Sequence, residues 1–428
     1  MKRCTYACHS PEHLVSRRSF LTGAAGALGG YSLGSLVQPA AARSIEEKAK
    51  RVLVVFLLGG VSQLETWDPK PGTDTGGPFQ AIPTSVPGVH ISELLPYTAQ
   101  QMHRLALVRG LNSLVPDHGQ GQIIMETGRK TEPAMKYPHL GSVCAKLLGT
   151  EDNPLPGYIH VTPRGNGNTG MDSAFLGSRY SSISLSDGKE PANLVRPADL
   201  TADADKLRND FRAKADQRFQ QKRRTAETEA YTSSYDQAAR LMAKRDLFNI
   251  QKEDPRVADR YGKHDFGRHC LMARRLLEGG ATFVKVTHTN YDTHHENFDF
   301  HIEQLGEFDR PFATILDDLA ARGMLDSTLV IVMSEMGRTP AINRNQGRDH
   351  WARAWSVAMG GCGIKGGAVV GKTSANGTTV TDREVNGGHL FHTYLKALGF
   401  DSKKNFYIDQ RPIPMADPKA GPIDEILA

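Results

Sequence analysis

The stretch of sequence that decides the fold is VLVVFLLGG, residues 52–60, an unbroken apolar run that ends in two glycines. A strand buried on both faces of a parallel sheet has this pattern, because neither of its faces meets water. Four more short apolar runs follow, at residues 105–108, 281–287, 328–333 and 355–359. Since helical stretches separate the runs, the sequence predicts an α/β fold with a mostly parallel central sheet flanked by helices.

The clearest helical pattern lies between the runs at 281–287 and 328–333, where apolar residues recur three or four positions apart. A strand, a helix and a second strand in this order predict a parallel crossover. The apolar residues are Phe298, Ile302, Leu305, Phe308, Phe312, Leu316 and Leu319.

Residues 157–260 differ in character from the rest of the chain. Residues 157–200 are rich in Gly, Ser, Asn and Pro, whereas residues 201–243 are polar and charged with helical periodicity. We therefore expect a single domain over residues 43–428 with a loop-rich and helical insertion at about 157–260. The basic run Lys222-Arg223-Arg224 is interpreted as a solvated helix face rather than an anion-binding site.

The overall composition is that of an ordinary globular protein. The chain has 428 residues, 39% of them hydrophobic, and carries 52 Lys and Arg against 47 Asp and Glu. These values exclude collagen-like, coiled-coil and wholly disordered chains. The net charge of +5 is small for this length and no basic block dominates, so we expect no nucleic-acid partner.

The first 42 residues predict an export signal. Arg17 and Arg18 precede Phe-Leu and an uncharged run rich in Ala, Gly and Leu, and small residues at 40–42 suit a signal peptidase. The pattern is typical of a twin-arginine signal, which makes the twin-arginine export machinery a partner and the periplasm or another exported location the destination. A short membrane anchor or a chance arginine pair are the alternatives. No later run reaches about 18 apolar residues, so we expect no stable membrane span in the mature chain.

Three cysteines, Cys144, Cys270 and Cys362, lie beyond the predicted signal. They are too few and too widely spaced for a disulfide framework, and they lack the paired spacing of a thiolate zinc site. We interpret each as a small buried apolar residue. One disulfide remains an alternative, but the sequence does not choose the pair.

Ligand-type residues concentrate where the predicted strands end. Residues 288–297 (HTNYDTHHEN), 334–339 (SEMGRT) and 347–351 (GRDHW) can converge, because the carboxyl ends of parallel strands open onto one crevice. Carboxylates with imidazoles favour Zn or Mn, with Ca or Mg as alternatives. Taken singly, each histidine is more often a solvated side chain, and Asp292 or Asp349 more often a helix N-cap. The candidate metal ligands are Asp292, His294, His295, Glu335, Asp349 and His350.

A further candidate follows the run at 105–108. Ser113 is a hydroxyl nucleophile of the type that a metal or a base activates, and His118 lies five positions later. Proximity in sequence does not place the two within hydrogen-bond reach. The alternative is an ordinary Asn-Ser turn.

Several motifs together resemble the bacterial family called domain of unknown function 1501. They are the twin-arginine signal, VVFLLGGVSQLETWDPKP at 54–71, YDTH at 291–294, EMGRTP at 335–340, GRDHW at 347–351, a glycine-rich stretch at 360–371 and LGFD at 398–401. The resemblance implies an alkaline phosphatase/sulfatase-like α/β fold with one or two divalent metals at the strand ends. It implies ligands at Asp292 with His294 or His295, at Glu335 and at His350.

This chain departs from the superfamily pattern at two places. Gly59 and Gly60 stand where an aspartate usually ends the first strand, and Glu335-Met336 replaces an Asp-His pair. The departures imply a single-metal or degenerate site. The sequence Cys or Ser, any residue, Pro, any residue, Arg is absent from the chain, which argues against a sulfatase of the formylglycine type.

The sequence therefore predicts an exported metal-dependent hydrolase-like protein that acts on a small or polymeric anionic ester, phosphate before sulfate. In this hypothesis Ser113 or a water molecule attacks, and Arg338 or Arg348 offsets developing negative charge. The alternative is a non-catalytic binding protein with a degenerate alkaline-phosphatase-like fold. A structural or assembly partner would leave no mark in the sequence.

Overall fold

All five apolar runs form strands in the computed structural model, which describes residues 50–150, 153–163, 172–190, 194–222 and 226–428. The predicted export signal and Arg223-Arg224 lie outside the described residues. The strands are β1 (Arg51–Leu57), β2 (Ala81–Pro83), β3 (His90–Ser92), β4 (Leu105–Leu111), β5 (Tyr158–Thr162), β6 (Ile183–Ser186), β7 (Phe283–His288), β8 (Thr328–Met333), β9 (Gly337–Arg338), β10 (His350–Trp351), β11 (Trp355–Gly361), β12 (Val369–Val370), β13 (Lys372–Thr373), β14 (Val380–Asp382), β15 (Asn405–Ile408) and β16 (Arg411–Pro414).

Helices connect and cover these strands. The α-helices of the described residues are α1 (Pro96–Gln100), α2 (His118–Thr127), α3 (Leu140–Leu148), α4 (Ala202–Lys222), α5 (Ala226–Ala243), α6 (Pro255–Tyr261), α7 (Asp265–Glu278), α8 (Asn297–Ala321) and α9 (Gly387–Ala397). No helix among the described residues has the length and apolar character needed to cross a membrane.

Eight strands form the central sheet, in the order β12-β4-β11-β8-β1-β7-β5-β6. β1 lies in the interior and pairs in parallel with β7 on one side and β8 on the other, so that Val52 faces Phe283 and Leu329. β11 alone runs antiparallel to its neighbours, β4 and β8. The predicted α/β fold with a mostly parallel sheet is confirmed.

The sheet has an apolar core on each face, which explains the unbroken apolar runs. Leu53, Val55 and Leu57 of β1 pack on one side with α7 and α8, and Val52 and Val54 pack on the other with α9. All five of these side chains are fully buried. A strand covered on both faces has no position for a water-facing residue.

The predicted crossover helix is α8. It begins at Asn297, which is too far along the chain for Asp292 to be its N-cap. Its N-cap is Glu296, in a left-handed conformation with no side-chain cap bond. Ile302 is the exception in the predicted apolar stripe, since it is 52% exposed. Because Asp292 lies four residues before the N-cap, the interpretation of this residue as a helix cap is wrong, and its carboxylate is left for another role.

The range expected to be an insertion contributes to the central sheet. β5 pairs in parallel with both β7 and β6, whereas α4 and α5 supply the expected helices. β5 contains the buried polar residue His160, whose Nε2 lies 2.8 Å from Thr287 Oγ1 of β7. This cross-strand hydrogen bond pairs one of the two ring nitrogens of His160 inside a segment that its Gly, Ser, Asn and Pro content had predicted to be a loop.

A buried ion pair connects α2 to β7, the two elements that lead to the candidate site. Glu126 of α2 contacts Lys285 of β7 and also His139, and Glu126 and Lys285 are both almost fully buried. Burial alone would raise the pKa of Glu126, but the charges of Lys285 and His139 hold it well below its usual range. No disulfide bond links Cys144, Cys270 and Cys362 within the described residues.

Candidate metal centre

Three side chains of ligand type meet at one edge of the central sheet. They are His118, the first residue of α2, Asp292, in the loop after β7, and His350, the first residue of β10. Their ligand atoms all lie within 4.8 Å of one another. The Nε2 atoms of His118 and His350 each lie 3.3 Å from a carboxylate oxygen of Asp292.

The strand directions explain why these residues meet. β4 and β7 point the same way, so the loops that lead to His118 and carry Asp292 leave the sheet at the same edge. β11 runs the opposite way and therefore starts at that edge, where His350 precedes it. The predicted segments 288–297 and 347–351 therefore meet directly in the structure. The second of them precedes its strand, β11, whereas the sequence analysis expected all three segments to follow strands.

His294 supplies a fourth ligand-type atom at the same place. Its Nε2 lies 3.1 Å from Asp292 Oδ1 and 3.1 Å from His350 Nε2. A tetrahedral Zn²⁺ with ligand distances of about 2.0–2.1 Å separates its ligand atoms by about 3.3 Å. The separations of 3.1–3.3 Å in the cluster match that spacing, so the residues present fit a single divalent ion.

Each imidazole of the cluster is held at its other nitrogen by an oxygen acceptor. His118 Nδ1 lies 2.7 Å from Glu335 Oε1, His294 Nδ1 lies 2.7 Å from Asp349 Oδ1, and His350 Nδ1 lies 3.1 Å from the Pro116 carbonyl oxygen. These acceptors assign the proton of each neutral ring to Nδ1. The Nε2 lone pairs are then all available to a metal, an arrangement common around metal-bound histidines.

Glu335 supports the cluster from behind instead of joining it. Its side chain is fully buried, Oε1 accepts the Gly59 N–H at 2.8 Å as well as the His118 ring, and Oε2 accepts the Ser334 hydroxyl at 3.0 Å. The hydrogen bond that His118 donates to Glu335 also raises the pKa of His118. The geometry therefore gives the predicted acidic ligand the role of orienting a histidine.

Arg338 holds Asp292 in its ionised form. Its guanidinium is fully buried, contacts Asp292 Oδ1, and donates to the carbonyl oxygens of Gly59, Gly60 and Arg348. Burial raises the pKa of Asp292, but the hydrogen bond and charge of Arg338 outweigh it and lower the pKa to about 2. Asp292 is therefore a carboxylate, the form that binds a metal, at neutral pH.

Two glycines allow the chain segments of the cluster to approach closely. Gly59 has φ of 119°, and a Cβ there would lie 2.6 Å from the Asp292 backbone nitrogen. A Cβ at Gly347 would lie 2.0 Å from the His294 carbonyl carbon. Any side chain at either position would push a cluster residue out of place.

Three predicted site residues do not contact the cluster. Arg348 is fully buried and pairs with Glu65, with Arg348 NH2 2.8 Å from Glu65 Oε1. His295 is exposed and packs on Phe300. Ser113 is the middle residue of an Asx turn, in which Asn112 Oδ1 accepts the Leu114 N–H at 3.1 Å. The Ser113 hydroxyl is buried and has no hydrogen-bond partner in the part of the chain that the structure describes.

The remaining candidates lie together: His118, Asp292, His294 and His350 at the centre, with Glu335, Arg338 and Asp349 around them. In the sequence, His118 is a candidate only as a neighbour of Ser113, and neither Glu65 nor the Pro116 carbonyl is a candidate. The proximity of His118 to the end of β4 was the available signal for it, whereas nothing in the local sequence marks the other two.

We expect Glu335→Gln to weaken metal binding without unfolding the protein. The substitution keeps the shape of the side chain but removes the charge that orients His118, and losing such an outer partner costs about 10–100-fold in metal affinity. Competition for Zn²⁺ with a chromophoric chelator measures the change. Glu296→Gln, which alters an exposed carboxylate outside the cluster, is the matched control, and equal affinities of the two variants would refute this role of Glu335.

Comparison with known proteins gives a family and a set of similar solved structures. The family model described as "Protein of unknown function (DUF1501)" matches residues 49–427, which confirms the resemblance found in the sequence. No curated protein sequence matches the chain.

Three solved structures illustrate the similarities. The lipoteichoic acid synthase LtaP from Listeria monocytogenes has 8% identity and a TM-score of 0.40, covering 87% of this chain and 75% of its own. A protein in the alkaline phosphatase superfamily from Vibrio parahaemolyticus has 12% identity and a TM-score of 0.34, with 83% and 67% covered. The phosphonate monoester hydrolase SpPMH from Silicibacter pomeroyi has 12% identity and a TM-score of 0.38, with 82% and 74% covered.

Proposed function

The chain belongs to the family of proteins of unknown function DUF1501, and from the geometry of its metal-type cluster we propose that it is a metal-dependent hydrolase of anionic esters. The observation that carries the proposal is the convergence of His118, Asp292 and His350 within 4.8 Å at the sheet edge. Two histidines and one carboxylate are a common ligand set of catalytic metal sites, in which a further position stays open for water or substrate.

The ligand chemistry favours Zn²⁺ or Mn²⁺ as the ion. Mg²⁺ and Ca²⁺ prefer sets made of oxygen atoms, whereas this cluster is dominated by imidazole nitrogens. A divalent ion held here would supply polarisation of an ester oxygen and acidification of a water molecule.

Each residue of the site has a distinct role in this proposal. His118, Asp292 and His350 bind the ion, Glu335 and the Pro116 carbonyl orient the two imidazoles, and Arg338 keeps Asp292 ionised. The Arg338 guanidinium already contacts Asp292 and three carbonyl oxygens, so it makes no direct contact with the substrate in this proposal. Its positive charge attracts the anionic substrate through space.

His294 is placed to accept a proton from the attacking water at Nε2, the nitrogen that its tautomer leaves unprotonated, and then to return this proton to the leaving oxygen. Asp349 fixes its Nδ1–H, and its Nε2 faces the same opening as the other two imidazoles. The side chains of His294 and Asp292 are 43% and 48% exposed, so the opening is accessible to a bulky ester. Water takes the role of nucleophile in this proposal, because the Ser113 hydroxyl is buried.

We propose phosphate esters before sulfate esters as substrates, either small or polymeric. The formylglycine motif that one large class of sulfatases requires is absent from the sequence. Export by the twin-arginine machinery, proposed from Arg17 and Arg18 alone, would place the substrate outside the cytoplasm.

One observation favours a second function, a non-catalytic metal-holding or binding protein. If His294 becomes a fourth ligand, its 3.1 Å distances complete a tetrahedron and leave no open position, as in structural zinc sites. The two functions differ in turnover, which the closed site would lack.

Metal analysis and an ester assay of the purified protein test the proposal. We expect one Zn²⁺ or Mn²⁺ per chain and turnover of a generic aryl phosphate that exceeds turnover of the matching aryl sulfate. Asp292→Asn should lose both the metal and the turnover. Bound metal without turnover would favour the closed binding site, and the absence of both across several divalent ions would refute the hydrolase.

A further inference from the structure

A second cavity, of about 180 Å³, lies between α7, α8 and the end of β7. Its ionisable lining residues are acidic or imidazole groups, and within the described residues no lysine or arginine lines it. Asp265 contacts Arg268, whereas Glu303 and Glu307 of α8 form no ion pair with a lysine or arginine of the described residues. The cavity therefore offers two uncompensated negative charges to a ligand.

A buried imidazole with one unpartnered ring nitrogen lines the same cavity. His269 is 1% exposed, and its ring donates a hydrogen bond to the backbone of Asp187. Burial lowers the pKa of His269 to about 4, so the ring is neutral and has one N–H to give. Its Nε2 is then an acceptor, and among the residues that the structure describes it has no hydrogen-bond partner. Such a group needs a donor from outside the protein.

His288 adds a second neutral imidazole, already fixed in place. It is 6% exposed, its Nδ1 lies 2.9 Å from the Tyr291 hydroxyl, and its Nε2 lies 3.3 Å from Glu307 Oε2. Burial lowers the pKa of His288, whereas the hydrogen bond to His288 lowers the pKa of Glu307. Glu307 is therefore ionised and held in one orientation at the cavity wall.

An aromatic ring completes the lining. Phe266 packs against His288, with ring centroids 4.5 Å apart, and borders the cavity. An aromatic face beside carboxylates is an environment in which organic ammonium groups bind. A bare metal ion fits less well, because the cavity brings no three ligand atoms of the described residues within 4.8 Å. At about 30 Å³ per water-sized group, the volume holds roughly six non-hydrogen atoms.

We propose that this cavity binds a small organic ammonium, held by the carboxylates of Glu303 and Glu307 and by the free Nε2 of His269, with the Phe266 ring in the cavity wall. The site is separate from the metal cluster and does not depend on the proposed hydrolysis. Ligand binding at this cavity can therefore be tested whether or not the protein hydrolyses esters.

Calorimetric titration of the full chain with ethanolamine tests the proposal, with 1,2-ethanediol as the neutral ligand of equal size. We expect ethanolamine to bind at least ten-fold more tightly than ethanediol. Glu307→Gln should weaken ethanolamine binding at least five-fold, and Glu384→Gln, at an exposed carboxylate elsewhere, should leave it unchanged. His269→Phe, which removes the acceptor nitrogen, should also weaken it.

Three results would overturn the proposal. They are equal binding of the two ligands, unchanged affinity in the Glu307 and His269 variants, and displacement of ethanolamine by Ca²⁺ at equal concentration, which would assign the cavity to a metal. Circular dichroism of each variant shows whether a loss of binding reflects loss of fold.

Discussion

His118→Ala should abolish tight metal binding and metal-dependent turnover. His118 supplies one of the three ligand atoms that lie within 4.8 Å of one another. Its substitution leaves Asp292 and His350, and a metal ion could regain a third ligand only from His294, the proposed proton-transfer residue. Losing an outer partner already costs about 10–100-fold in metal affinity, so the loss of a ligand should exceed 100-fold. Chelator competition and the aryl phosphate assay measure both effects.

His295→Ala is the matched control, because it removes an imidazole of the same loop that does not contact the cluster. Its side chain is 61% exposed and packs beside Glu296 and Phe300. We expect its metal affinity and turnover to equal those of the unaltered protein. Full metal binding by His118→Ala together with a loss in His295→Ala would show that the ligand set is wrong.

Glu65→Gln should destabilise the protein by about 3–5 kcal/mol, the usual cost of leaving one member of a buried ion pair uncompensated. Glu65 and Arg348 are both fully buried, and Arg348 Nε and NH2 both reach the carboxylate. Guanidinium chloride unfolding measures the loss. Glu425→Gln, which breaks the exposed pair with Arg383, should cost no more than about 1 kcal/mol. Similar small losses in both variants would contradict a structural role for Arg348.

The effect of Glu65→Gln should also depend on pH. Burial raises the pKa of Glu65, but the charge of Arg348 outweighs it and lowers the pKa below its ordinary value. A carboxyl group with a lower pKa in the folded state stabilises the fold above its unfolded pKa, about 4.3, and this contribution fades as pH falls through the folded value. The difference in unfolding free energy between the two proteins should therefore be full at pH 7 and shrink below about pH 4.

The main features of the fold follow from the sequence because burial on both faces leaves a strong local mark. Residues 52–58 are apolar without a break, and the helix at Asn297–Ala321 has a regular apolar stripe. β5 leaves a weaker mark. His160 interrupts it, and the hydrogen bond that makes this polar residue acceptable reaches Thr287, 127 positions away.

The candidate site was predictable only in part, for a similar reason. Because the carboxyl ends of parallel strands lie at one edge of a sheet, the sequence predicts that Asp292 lies near the other candidate ligands. The role of each residue depends on partners distant in the sequence: Glu335 lies 217 positions from His118, and Glu65 lies 283 positions from Arg348. Arg348 thus resembles a substrate-binding arginine in the sequence, although its charge is fully used inside the protein.

The central claim is that one divalent ion is held at the sheet edge by His118, Asp292 and His350. A crystal structure of the zinc-loaded protein with anomalous diffraction data at the zinc edge tests it most directly. We predict one anomalous peak, bonded at about 2.0–2.2 Å to the two Nε2 atoms and to a carboxylate oxygen of Asp292, with Glu335 hydrogen-bonded to His118 behind them. A peak bonded to Glu335 in place of His118, or no peak at this cluster, would contradict the account.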